Sequence, residues 1–333
     1  MSDSAYKEAG VDLEAGDEVI RRIASAVEAS YTPQVLKGLG AFGGLYDASA
    51  VKDMNAPVLV ASTDSIGTKT KLAHLNDYAT VGYDIVNHCA NDILVQGAKP
   101  LFFLDYVASA VLEPGAISRI VVSVAEACRV LSVPLLGGET AELPGVYQAG
   151  EFDLVGTIVG SVQRARVVTG EGVRAGDKVL ALESGGLQTN GFSLARKVLG
   201  DALDEPFGDH TVGLELLTPH RSYLAPVQTL LGEVDVRGLA HITGGGIPGN
   251  LSRVLPEGLG AEIQDGSWPV PDIFSLIEMR GQASRAEMNR VFNRGAGFLV
   301  VLRPEDVKAA RTVCPEPLHL IGEINESGEV RLV

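Results

Sequence analysis

Glycine is gathered rather than spread in this chain. It supplies 39 of 333 residues, with dense clusters at 38–44, 137–138, 185–186 and 244–246. A glycine cluster after a short apolar run marks a strand that ends in a turn, where the backbone bends sharply or approaches another group closely. Between the clusters the apolar pattern changes period. Val19, Ile20, Ile23, Ala24 and Val27 recur at helical spacing and predict a helix over 15–30, and similar stripes predict helices over 83–96, 116–131, 192–199 and 221–231. Short apolar runs predict strands over 57–62, 101–110, 133–136, 154–162, 178–182, 297–302 and 318–324, and a helix carrying Leu251, Val254 and Leu255 follows the last glycine triplet. Strands alternating with helices in both halves make this a mixed αβ protein of two layered lobes. The turn-rich stretch Thr169-Gly170-Glu171-Gly172 divides it into residues 1–170 and 171–333.

Composition narrows the function classes. At 46% apolar residues the chain can build a sizeable core, and disorder is excluded. A net charge of −15 disfavours a non-specific grip on nucleic acid, whose phosphates want a basic face. No apolar run reaches the roughly 18 residues of a membrane span, and Met1-Ser2-Asp3-Ser4 has neither the basic nor the apolar region of a signal peptide. Three cysteines, none in a C-x-x-C pair, give neither a disulfide framework nor a structural zinc site. The expectation is a cytoplasmic protein.

Five polar clusters border the apolar elements. Thr63-Asp64-Ser65-Ile66-Gly67-Thr68-Lys69-Thr70 has the composition of a metal–phosphate site: an acid for Mg²⁺, a glycine for close backbone approach and a lysine for charge. It lacks the glycine spacing of a Walker A loop, and a strand-to-helix turn with a solvated lysine is the plainer alternative. Asn91 and Asp92 sit within a predicted helix, with Asp84 two turns earlier on the same face; Asp92 is either solvated or partly buried with a partner. Gly137-Gly138-Glu139-Thr140-Ala141-Glu142 puts acids at the carboxyl end of a buried strand. In the second half, Ser184-Gly185-Gly186-Leu187-Gln188-Thr189-Asn190-Gly191 and His241-Ile242-Thr243-Gly244-Gly245-Gly246 precede helices, where unpaired N–H groups suit a phosphate monoester. His241 is either a proton-transfer or hydrogen-bonding group beside that turn, or a structural histidine. His88 and Cys89 are expected to face a core, and Arg221 with Tyr223 to cap a helix.

Taken in order, these motifs resemble the phosphoribosylformylglycinamidine cyclo-ligase (aminoimidazole ribonucleotide synthetase) family almost end to end. The match includes Tyr6-Lys7-Glu8-Ala9-Gly10-Val11-Asp12, the 38–44 glycines, Thr63-Asp64 with Gly67-Thr68-Lys69, Asn91-Asp92, Gly137 through Gly145, Asn190-Gly191 and Ala240 through Gly246. The resemblance implies an N-terminal lobe whose strands pair across a homodimer into a β-barrel, plus a layered C-terminal αβ lobe. It implies ATP and Mg²⁺, and cyclisation of formylglycinamidine ribonucleotide with release of ADP and phosphate; it implies neither a nucleic-acid nor a membrane partner. On matching positions it assigns Asp64, Asp92 and Glu139 to metal, and Gly67, Thr68, Lys69 and Thr140 with those acids to ATP. Ser184, Thr189, Asn190, Thr243, Gly244, Gly245 and Gly246 go to the ribonucleotide, and His241, Lys69 and Asn190 to catalysis.

Several positions depart from the family pattern, among them Thr189 for a serine and Ser222 for an isoleucine. Gln188 stands where a histidine is common, His220 replaces the threonine of the usual Pro-Thr-Arg-Ile-Tyr, and Arg294 replaces a methionine, so a charge is expected at or near the site. Two other readings compete: a small-molecule kinase of the same superfamily, like thiamine-monophosphate kinase or selenophosphate synthetase, and a silent nucleotide-binding partner. Retention of Asp64, Lys69, Asp92 and Glu139 weighs against the silent partner.

Overall fold

The structure, a computed structural model, describes Lys7 and residues 10–333; Tyr6, Glu8 and Ala9 of the N-terminal motif lie outside the described residues. The chain divides into two compact units, residues 1–90 with 99–163, and residues 91–98 with 164–333. The sequence reading draws a single cut near residue 170, whereas residues 91–98 pack with the second unit.

The first unit begins with helix α1 (Leu13–Ala29), capped by the Asp12 carboxylate, which accepts from the N–H groups of Glu14 and Ala15. Strand β1 (Pro57–Ser65) leads to a 3₁₀ turn, Gly67–Asn76, and helix α2 (Val81–Leu94). Strand β2 (Lys99–Ser109), helix α3 (Pro114–Val130) and strand β3 (Leu135–Glu142) form a crossover that makes β2 and β3 parallel. Strand β4 (Phe152–Gln163) is inserted antiparallel between β1 and β2, giving the order β1-β4-β2-β3. Gly156 lets β4 come up against helix and strand, because a Cβ there would overlap the Phe103 ring and Ile85. The residues 137–142, expected as a turn, continue the strand instead. The sheet is open, with β1 and β3 as its edges, and no barrel closes among the described residues.

The second unit is a six-stranded sheet. Its strands are β5 (Lys178–Glu183), β6 (Val236–His241), β7 (Gly260–Ile263), β8 (Ala296–Leu302), β9 (His319–Asn325) and β10 (Val330–Leu332), in the order β6-β8-β5-β9-β7-β10. All seven residues of β8 are buried, the mark of a strand covered on both faces. Alternation shows this directly. Val179, Ala181, Leu299 and Val301 join one core with Ile247, Leu251 and Trp268. Leu180, Leu182, Phe298, Val300 and Leu302 join the other with Tyr223, Val227 and Leu230 of the segment around helix α4 (Leu224–Glu233). That helix starts three residues later than the apolar spacing predicts, and the one after the glycine triplet, α5 (Gly246–Leu251), ends before Val254 and Leu255. No described helix is long and apolar enough to cross a membrane.

Candidate active site

In the first unit, Asp64 lies near the carboxyl end of β1. Its Oδ2 is 2.8 Å from Nε2 of His88, and its Oδ1 accepts from the Ser65 N–H at 2.7 Å. His88 is buried, as expected, but it serves as a support for this carboxylate, which the sequence reading missed. Gly67 is exposed at φ +54°, and Thr68 is half-buried in the turn that follows. The Lys69 side chain is fully buried, and its Nζ donates to Asp84 Oδ1 at 2.7 Å. Burial pushes the Lys69 pKa down while the Asp84 charge opposes that shift.

Glu139 is exposed and Thr140 half-buried on β3, at the far edge of the sheet. Pairing runs Asp64 to Gly156, Gly156 to Asp105 and Asp105 to Gly138, three strand spacings or about 14 Å. Glu139 pairs with Tyr106 one residue on, so the pleat turns it to the opposite face from Asp64. Within one chain, Asp64 and Glu139 therefore sit on opposite edges and opposite faces of this sheet.

Beneath β3 lies a cleft of about 420 Å³, bounded by Val19, Ile23 and Val27 of α1, Val121 of α3, the 39–42 glycine loop and Gly137 to Thr140. Asp105 reaches into it across Gly138, where any Cβ would overlap the carboxylate. Burial pushes the Asp105 carboxyl up to about 7. A pocket of apolar walls with one such acid suits a flat, nitrogen-rich ring better than a phosphate.

In the second unit the predicted residues meet closely. Asp92 belongs here, and its Oδ1 is 2.9 Å from His241 Nδ1. His241 Nε2 is 3.0 Å from His220 Nε2, and His220 Nδ1 is 3.2 Å from Thr189 Oγ1. Asn190 donates from Nδ2 to the same Thr189 oxygen at 3.3 Å, and its Oδ1 faces Gly244. Asn91 locks the wall behind them, accepting from the Tyr223 N–H and donating to the Arg221 carbonyl.

Other expected contacts are spent on structure. The Ser184 hydroxyl, buried, bonds within its own turn to Gly186, and Thr243 Oγ1 donates to Asn250. The Gly245 and Gly246 N–H groups donate to the carbonyls of Arg290 and Thr243. Tyr223 does not cap α4 with its side chain; its phenol donates to the Glu183 carbonyl and accepts from Gln188, and burial raises its pKa. Arg294 is buried against Asp265 and Asn289, which neutralises the charge expected at the site. His220 was visible in the sequence only as a departure from the family pattern.

The comparisons agree over the whole chain. Residues 46–162 match the model of the AIR synthase related protein N-terminal domain, and residues 174–333 that of its C-terminal domain. The chain is 45% identical to a phosphoribosylformylglycinamidine cyclo-ligase of Bacillus cereus, over 98% of this chain and 94% of that protein. It is 44% identical to the one of Geobacillus thermodenitrificans, over 98% and 97%. Among solved structures, thiamine-monophosphate kinase from Stenotrophomonas maltophilia superposes with TM-score 0.68 at 17% identity, covering 95% of each chain. The hydrogenase maturation protein HypE in complex with ATP gives 0.69 at 17%, covering 94% of this chain and 90% of that one. At such identities these two describe a shared fold.

Proposed function

We propose, from the premise that this chain belongs to the AIR synthase related family and to its phosphoribosylformylglycinamidine cyclo-ligases, that it is an ATP-dependent ligase of purine biosynthesis. It closes the imidazole ring of aminoimidazole ribonucleotide from formylglycinamidine ribonucleotide, releasing ADP and phosphate. The observation that carries this reading is identity of 45% sustained over 98% of the chain. The kinase alternative rests on likeness of fold at 17% identity and has no comparable support.

The chemistry is phosphoryl transfer followed by ring closure. The formyl oxygen takes the γ-phosphoryl of ATP; the amidine nitrogen then attacks that carbon, loses a proton, and phosphate departs with the original oxygen. The work of the protein is positioning and charge neutralisation. Thr189, Asn190 and His241 form the polar group proposed to face the ribonucleotide, and the apolar cleft holding Asp105 supports a seat for the adenine ring. Mg²⁺ suits the exposed carboxylates, since it needs only one or two of them with phosphate oxygens and water. Asp64, braced by His88, is the residue fit to hold it, and the ion would neutralise triphosphate charge there. Glu139 belongs to a site completed outside its own chain's β1 edge. A homodimer whose open sheets close into a barrel would supply that completion, and a cytoplasmic location belongs to the same reading.

A coupled assay for ADP tests the function. ADP should form with formylglycinamidine ribonucleotide, ATP and Mg²⁺, and stop when Mg²⁺ is chelated. Release of ADP with thiamine phosphate, and none with the ribonucleotide, would transfer the protein to the kinases.

A further inference from the structure

Residues 289–295 carry the chain from helix Arg285–Val291 into β8 and touch both glycine turns of the second unit, and nothing in the proposed function uses them. On one side the Gly245 N–H donates to the Arg290 carbonyl, and Gly246 stands where a Cβ would overlap the Asn289 carbonyl. On the other, a Cβ at Gly191 would overlap the Phe292 ring, and the Ser184 N–H donates to the Gly295 carbonyl. The two turns also approach each other, since a Cβ at Gly244 would lie 3.5 Å from Asn190 Oδ1.

Asn293 adds a tie that needs an amide. It is 3% exposed; its Nδ2 donates to the Gly186 carbonyl at 3.0 Å and the Leu187 carbonyl at 3.2 Å, and its Oδ1 accepts from the Gly295 N–H at 2.8 Å. Two donor hydrogens and an acceptor in one small planar group are what a primary amide has, and a carboxylate of the same shape has no donor. Because each peptide unit is planar, holding those carbonyls fixes two consecutive planes, 186–187 and 187–188. Gln188 comes next with φ +63°, a left-handed conformation that residues with a Cβ seldom adopt, and Thr189 and Asn190 follow it directly. Such strain persists only where the surroundings over-determine the backbone, so the planes leading into Gln188 are held from outside the turn.

We propose that Asn293 is a positioning residue: by clamping the peptide planes before Gln188 it sets where Thr189 and Asn190 meet the ribonucleotide. This rests on the cyclo-ligase reading, in which those two side chains face that substrate. A misplacement of about 1 Å at a reacting group can cost roughly 100-fold in rate, so a contact one turn away from the substrate is enough to matter. The cleft and the carboxylate read as seating ATP belong to the first unit, so binding of ATP alone should not respond to Asn293.

Two substitutions test this. Asn293→Asp keeps the shape and the acceptor for Gly295 but turns lone pairs on both carbonyls, and Asn293→Ala removes all three contacts. In both, kcat/KM for the ribonucleotide should fall by roughly 30- to 100-fold, while the Kd of ATP with Mg²⁺, measured without the ribonucleotide, stays within about 3-fold of wild type. In a Thr189→Val/Asn190→Ala background, Asn293→Ala should cost less than about 5-fold more, because the side chains it positions are already gone. Wild-type kcat/KM in Asn293→Asp, the full loss repeated in that background, or ATP binding weakened in step would each overturn the proposal. Should the variants fail to fold, amide hydrogen exchange of the wild type decides. The Gly295 amide reports release of Asn293, and the Gly186 amide, which donates to Ser184 Oγ, reports opening of the turn. Their protection factors should agree within about 5-fold; a wider gap means that the turn opens without Asn293 and ends the proposal. If the wild type makes no aminoimidazole ribonucleotide, the functional reading fails on its own, and the exchange comparison still decides whether Asn293 holds the turn.

Discussion

Two residues with similar signals in the sequence ended in opposite situations. Lys69 and Asp92 both stand in motifs that read as phosphate and metal chemistry, yet Lys69 is sealed against Asp84 while Asp92 keeps part of its carboxylate exposed beside His241. A cation and an anion buried together each depend on the other, because removing one leaves an uncompensated charge in a poorly solvating interior. Lys69→Met is accordingly expected to reduce the free energy of unfolding by roughly 3–5 kcal/mol, with most of it recovered in Lys69→Met/Asp84→Leu, measured by urea denaturation. A Lys69→Met protein as stable as wild type but unable to use ATP would return the lysine to the phosphate. Motif spacing reveals the presence of such a lysine. It does not reveal that an acid in the first turn of the next helix will reach it first.

At the scale of elements, pattern in the sequence was most legible where one period held over many residues. The stripe in α1 and the unbroken apolar run of β8 predicted both elements within two residues of their ends. Glycine clusters were harder to read, because one composition serves two ends: leaving N–H groups open, or letting backbones touch. Gly246 of the 244–246 triplet does the second. Gly246 has φ +60°, and a Cβ there would overlap the Asn289 carbonyl of helix Arg285–Val291 or its immediate backbone. Gly246→Ala should therefore lower stability by about 1–3 kcal/mol in thermal unfolding, through strain and displacement of that helix. Unchanged stability with weakened binding of the ribonucleotide would instead mark the triplet as a ligand loop.

For the whole molecule, the open sheet of the first unit is the feature with the widest consequence. Its helix-covered face is closed by Phe103, Val107, Leu154 and Ile158, but the other face carries Leu59 at 66% exposure, with Phe102, Leu104, Val155 and Val159 half-buried. An apolar sheet face whose two edge strands have no strand partner among the described residues is what an assembling protein presents. The proposed homodimer would cover it, and Leu59→Glu should then shift the sedimentation coefficient from dimer towards monomer; a wild-type protein that sediments as a monomer would remove the dimer from the functional reading.

What the residues determined by themselves was local and chemical: alternation of strands and helices, the αβ class, and part of the polar set later described at the candidate site, without Asp105 or the roles of His88 and His220. Those follow from periodicity and side-chain chemistry, which short windows carry. Contacts between distant windows were decided only by the fold. It paired Lys69 with Asp84, parted Asp64 from Glu139 by the width of a sheet, and brought Thr189, His220, His241 and Asp92 within hydrogen-bond distance in one line. The physical reason is that strand order, and hence which residues become neighbours, is set by packing of the whole core rather than by any segment alone.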